Sequence, residues 1–160
     1  MKDFFKGMIL ALSILLCAGQ AQAADASAKG KATAEQAVAM VNKAAAYLKK
    51  NGKEKAFAEF NNPDGQFIDR DLYIYAFLTN GDGIERANGA NLKLVGKNVL
   101  EMKDADGQYL IKNILAVADN PAGEAWLEYK WVNPVTHAID KKKAFVKKVG
   151  DVLLGCGIYE

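Results

Sequence analysis

Histidine occurs once in these 160 residues, at position 137, and cysteine twice, at 17 and 156. A nucleophilic cysteine needs a base beside it, and His137 falls in the turn expected around Asn133-Pro-Val-Thr136, away from both cysteines. There are no carboxylates clustered at ligand spacing and no nucleophile motif, so neither an enzyme nor a bound metal or cofactor is expected. Asp104-Ala-Asp-Gly107 resembles the start of a calcium loop, but the later oxygen ligands and the closing glutamate are missing, which leaves a plain turn. A charge bias is lacking too: 21 basic residues face 19 acidic ones, whereas a nucleic-acid partner calls for a clustered basic excess. Only one long apolar run exists, Gly7-Met-Ile-Leu-Ala-Leu-Ser-Ile-Leu-Leu-Cys-Ala18. It is shorter than the roughly 20 residues of a comfortable membrane span.

That run has the setting of an export signal. Lys2 and Lys6 precede it, and Ala21-Gln22-Ala23 follows as a small-x-small cleavage site, so a cut after Ala23 is expected. The destination is the periplasm or the exterior. Leu16, before Cys17, is too large for a lipid-attachment site. Cys17 leaves with the signal, Cys156 stays alone, and no internal disulfide can form. Between Gly155 and Gly157 in an apolar strand, Cys156 reads as a small buried hydrophobe. Residues 24–32 are small and polar, a flexible leader. Residues 33–160 are enough for one hydrophobic core and too few for two.

Thr33 with Gln36 forms a capping box, and Val38, Val41, Ala45 and Leu48 follow at helical spacing up to the stop at Asn51-Gly52. A second short helix is expected over 53–61, broken by Asn62-Pro-Asp-Gly65. The period then becomes two: Leu72, Ile74, Ala76 and Leu78 share one strand face, and Tyr73, Tyr75 and Phe77 the other. Asn80-Gly-Asp-Gly83 predicts a hairpin whose return strand covers 84–88. Residues 89–107 read as loop and 108–120 as a helix, with Leu110, Ile111, Ile114, Leu115 and Ala118 inward. Strands over 124–133, 144–149 and 152–159 close the chain. The order α-α-β-β-α-β-β-β with tight turns implies class α+β, with helices on an antiparallel five-stranded sheet.

The strings Asn51-Gly52, Ala56-Phe-Ala-Glu-Phe60, Gly65-Gln-Phe67, Asp71-Leu-Tyr-Ile-Tyr75 and Gly96-Lys-Asn98 carry a family resemblance. So do Lys103-Asp-Ala-Asp-Gly107, Trp126-Leu-Glu-Tyr-Lys-Trp131, Asn133-Pro134 and Gly155-Cys-Gly-Ile-Tyr159. Together they resemble a single Cache domain of type 2 over nearly all of residues 24–160. The resemblance implies a PAS-like fold, a long N-terminal helix packed on the five-stranded sheet. It also implies an extracytoplasmic sensor of a small organic anion or amino acid, acting in signal transduction or chemotaxis. Such domains form the outer part of chemoreceptors or sensor kinases; here a standalone exported domain signalling through a separate membrane receptor or kinase is expected. Two departures bear on the pocket. Asn88 and Leu92 stand where members often carry histidine and proline, and Phe145 where they tend to carry tyrosine; both changes imply lost polar capacity beside the ligand.

The candidate ligand-binding residues are Tyr73, Tyr75, Asn88, Tyr129, Trp131 and Lys142. Alternation puts Tyr73 with Tyr75, and Tyr129 with Trp131, on shared faces, under a roof formed by the loop from Asn88 to Lys103. Family position makes Lys142 the residue that neutralises a carboxylate. Two readings of these residues stay open: pocket groups, or core aromatics with polar tips at the rim beside a solvated lysine run, Lys141-Lys-Lys143. Trp126, on the opposite face, is expected to pack, and Arg86 to lie at the surface. The second reading as a whole is a ligand-free interaction or adaptor protein.

Overall fold

Thr33 and Gln36 cap the first helix as their spacing predicts. The Thr33 hydroxyl accepts from Gln36 N at 3.3 Å, and the Gln36 side chain accepts from Thr33 N at 3.0 Å. In this computed structural model residues 30–160 are described; the expected signal, its cut after Ala23 and most of the leader lie outside them. The last leader residues are tied down: Ala32 is buried and its N–H donates to Asp71. Helix α1 (Ala34–Asn51) ends at Gly52, whose φ of 77° is the left-handed turn that glycine adopts without strain. Its buried stripe is Ala37, Met40, Val41, Ala44, Ala45 and Leu48. The inward face is therefore turned toward the alanines relative to the expected one, and Val38 lies at its margin. Small side chains let the helix settle close on the sheet.

Helix α2 (Lys53–Phe60) buries Ala56 and Phe60. The Phe60 and Phe67 rings meet edge to face at 4.8 Å, and Tyr47 of α1 meets Phe67 at 5.4 Å. Each such pair adds about 1 kcal/mol beyond burial, and the cluster fastens both helices to the segment that enters the sheet. A two-stranded ribbon, β1 (Ile68–Asp69) with β2 (Leu72–Tyr73), precedes β3 (Tyr75–Leu78), so the single strand expected over 71–78 is broken at Ile74. Its alternation survives the break. Leu72, Ile74, Ala76 and Leu78 pack in the cluster of α1, while Tyr73, Tyr75 and Phe77 pack on the other side.

The main sheet is antiparallel, in the order β4-β3-β7-β6-β5. Strands β5 (Glu124–Val132), β6 (Ile139–Val149) and β7 (Val152–Tyr159) form its long part, and α1 packs across β7 and β6. Helix α3 (Leu110–Ala116), extended by a 3-10 turn (Val117–Asp119), covers the opposite face with Leu110, Ile111, Ile114 and Val117.

Two expectations need correction. The hairpin return is only two residues long, β4 (Ala87–Asn88), because the chain leaves β3 after Leu78 and pairs elsewhere first. Gly83 to Glu85 bond instead to residues 96–99: Gly96 N to Glu85 O at 2.8 Å, and Val99 N to Gly83 O at 2.9 Å. Gly83, at φ 66°, makes this approach possible, since a Cβ there would lie 2.5 Å from Leu100 Cβ. Strand β6, in turn, begins at Ile139, five residues before the expected start, and runs through Lys141, Lys142 and Lys143. It is hydrogen-bonded on both sides, to β5 and to β7, so the lysines do not lie on a sheet edge. Composition alone reads such a run as loop or edge; two neighbouring ladders override it.

Candidate functional site

Alternation along β6 separates the three consecutive lysines. Lys141 and Lys143 point to the α1 side, where Lys141 meets Glu128 and Glu160, and Lys143 stands 5.4 Å from the Trp126 ring. Lys142 turns to the face of Ala144 and Val146 and is fully buried. Its ammonium lies 3.9 Å from the centre of the Tyr73 ring, 4.9 Å from Tyr159 and 5.6 Å from Tyr75. It has no hydrogen-bond partner among the described residues. Ring faces attract the cation, but they do not replace lost water. Burial pushes the Lys142 ammonium down to about 7, only partly opposed by the charges of Asp71 and Glu85.

Above the rings lies a cavity of about 20 Å³, room for the centre of about one water-sized body. Tyr73, Tyr75, Tyr129 and Phe77 line it from the sheet; Glu85, Asn88 and Trp131 line its sides; Met102, Leu110, Ile111 and Ile114 close it from above. Five of the six expected residues thus share one space. Lys142 does not touch that space; it lies behind the tyrosines as their charged floor. The roof is mainly α3 and Met102, not the whole loop from Asn88 to Lys103. An outer cleft of about 310 Å³, lined by Asn91, Leu94, Pro134 and His137, abuts the cavity at Tyr73 and Trp131.

The polar groups form a short, directed set. Tyr159 donates to Val132 O at 3.0 Å. Tyr73 meets the Tyr159 hydroxyl at 3.3 Å, and Tyr129 donates to Tyr75 at 3.3 Å. Burial raises the pKa of all four phenols, so they stay neutral. Asn88 is buried, but not as a free ligand group. Its Oδ1 accepts from Ala90 N and Asn91 N, and its Nδ2 donates to Glu85 Oε1 at 2.8 Å.

Glu85 is the residue that the sequence reading missed. It is 4% exposed, and burial pushes its carboxyl up to about 7 against the bond from Asn88 and the charge of Lys142. In a regular strand over 84–88, Glu85 and Asn88 would face opposite sides. They converge because the strand does not form until Ala87. A charged residue three positions before an asparagine was the only signal available, and it is a weak one.

Phe145 corrects the expectation of lost polarity. It faces α1, packs on Trp126 at 5.4 Å and does not line the cavity. Leu92 is exposed and likewise outside it. Trp126, expected to pack, covers Phe145 but stays partly exposed. Arg86, expected at the surface, is part-exposed; its guanidinium pairs with Asp82, and its backbone carbonyl accepts from Asn61 Nδ2. Cys156 is fully buried against the Met40 sulfur, and burial pushes its thiol up to about 12. Asp104 organises its turn by accepting from Asp106 N, Gln108 N and Lys130 N. No group of metal-ligating side chains occurs among the described residues, and no described helix is long and apolar enough to cross a membrane.

The helix-on-sheet arrangement with an aromatic cavity on the far face is that of a PAS-like sensor domain. The chain matches the family described as Single Cache domain 2 over residues 20–160, and belongs to it. Its structure is similar to a methyl-accepting chemotaxis protein from Vibrio parahaemolyticus, with 24% identity and a TM-score of 0.64 over 78% of this chain and 86% of that one. A Cache chemosensory domain described for carboxylic acid recognition gives 21% identity and a TM-score of 0.64, covering 78% of this chain and 91% of the other. The periplasmic sensor domain of a chemotaxis protein gives 17% and 0.60, over 78% and 88%. No curated protein matches the chain.

Proposed function

We propose that this chain is an extracytoplasmic sensor domain that binds a small carboxylate or amino acid and passes the signal to a separate receptor or kinase. The observation that carries the reading is Lys142: a fully buried amine with no hydrogen-bond partner, set behind the tyrosines of a mainly apolar cavity that carries a few polar groups. A stable fold does not keep such a group for packing, because an unpaired buried charge is expensive. An anion close to the tyrosine floor offsets that cost. Family membership, the fold of the chemotaxis domains and the N-terminal signal pattern support a position outside the cytoplasm. The outer cleft at Tyr73 and Trp131 is the way in. Since the cavity holds about one water-sized body, Met102 and the Trp131 ring have to move for a ligand to enter; methionine is the side chain that does so most cheaply.

A thermal-shift screen of the purified protein against small carboxylates and amino acids tests this. A true ligand at 100 times its dissociation constant adds about 2.7 kcal/mol, a clear rise in melting temperature. Silence across a broad panel overturns the reading. The small size of the cavity favours one competitor, a ligand-free adaptor whose side chains fill the site. That reading expects the same silence together with a defined complex in light scattering.

A further inference from the structure

The direction of each hydrogen bond around the cavity can be read from the number of protons available. Tyr159 spends its one hydroxyl proton on Val132 O, so Tyr73 is the donor in their contact. Tyr129 donates to Tyr75, and the Tyr75 proton has no acceptor among the described residues. Asn88 has its oxygen committed to two backbone N–H groups, which fixes its amide so that the nitrogen faces Glu85. The lining therefore offers a free donor at Tyr75, backed by the Lys142 amine, and a carboxyl acceptor at Glu85. No ion pair joins Glu85 to Lys142 among the described residues, although both are more than nine-tenths buried.

We propose that Glu85 makes this site selective for ligands with a cationic or strongly donating group beside their carboxylate, the amino-acid class, over simple carboxylates. The proposal rests on the binding-site reading above and narrows it. A simple carboxylate brought beside Glu85 puts two like charges in a cavity with little water to screen them. A zwitterion brings no net charge: its carboxylate meets the Tyr75 hydroxyl, with Lys142 behind that ring, and its ammonium meets Glu85. Glu85, whose one side-chain bond is the neutral one from Asn88, then gains a cationic partner, and the unpartnered Lys142 gains an anion nearby. Asn88 acts as the positioning residue, holding the Glu85 carboxyl in place through the 2.8 Å bond.

Each common amino acid is paired with the acid that lacks its α-ammonium group (alanine with propionate, glycine with acetate) and titrated calorimetrically into the full protein at pH 7. The expected result is at least tenfold tighter binding for one or more amino acids than for their paired acids. Glu85→Gln, which keeps the side-chain shape and an oxygen to accept from Asn88, should remove that preference while leaving or improving the paired acid. If simple acids bind as tightly as their amino-acid partners, the selectivity proposal falls and the carboxylate sensor stands. If neither set binds, both readings fall. If Glu85→Gln does not fold, the wild-type pairs alone decide.

Discussion

Lys142 lies across Gly157: a Cβ on that glycine would come within 2.8 Å of Lys142 Cε, and within 2.7 Å of the Lys143 carbonyl oxygen. Two residues earlier, Gly155 has the same relation to Tyr75, whose ring would lie 2.1 Å from a Cβ. Both glycines stand on the cavity side of β7, opposite Cys156. The Gly-Cys-Gly string therefore has a steric purpose. It lowers the sheet surface so that an aromatic ring and a lysine stem can lie flat on it.

Gly157→Ala should therefore lose about 2 kcal/mol or more, because backbone of β6 as well as a side chain stands in the way. Gly155→Ala should displace the Tyr75 ring and break its contact with Tyr129. Urea unfolding gives the first quantity, and ligand affinity reads the second. Wild-type stability in Gly157→Ala would show that β7 moves away from β6 without penalty.

Lys142→Met is expected to raise stability by about 1–3 kcal/mol while abolishing binding of anionic ligands. The substitution replaces an unpaired buried ammonium by an apolar chain of similar length, a change that is often stabilising. Equilibrium denaturation and calorimetry on the same preparation test the two halves. A destabilised variant would mean that the aromatic rings satisfy the cation in full.

The two buried charges should also shape stability against pH. Glu85 is raised from 4.5 to about 7, so the folded chain holds more protons than the unfolded one between those values, and stability falls as pH rises through them. Lys142 is lowered from 10.5 to about 7, so the unfolded chain holds more protons between 7 and 10.5, and stability climbs as pH rises there. Together they give a minimum near pH 7. The stability difference between the wild type and Glu85→Gln/Lys142→Met isolates it from the surface groups. A difference that is flat from pH 5 to 9 would show that one or both groups keep ordinary values.

Period-two alternation was legible because it needs only local geometry: successive side chains of an extended chain leave on opposite sides. That is why Tyr73 and Tyr75, and Tyr129 and Trp131, could be grouped by eye and do meet in one cavity. The capping box at Thr33 and the glycine stop at Gly52 were legible for the same reason, as each is complete within a few residues. Glu85 was not legible, since its direction depends on which distant segment its backbone pairs with, and that partner is residues 96–99. Nor was the orientation of Phe145, or the role of α3 as a roof.

The sequence on its own thus determined the family, the class of fold and which aromatic rings share a side. Tertiary structure alone decided the electrostatics: that Lys142 is sealed beneath three phenol rings, that Glu85 turns inward to meet Asn88, and that little space is left between them. The reason is that charge burial is a property of what surrounds a group in three dimensions. No pattern along the chain records how far a lysine stands from water.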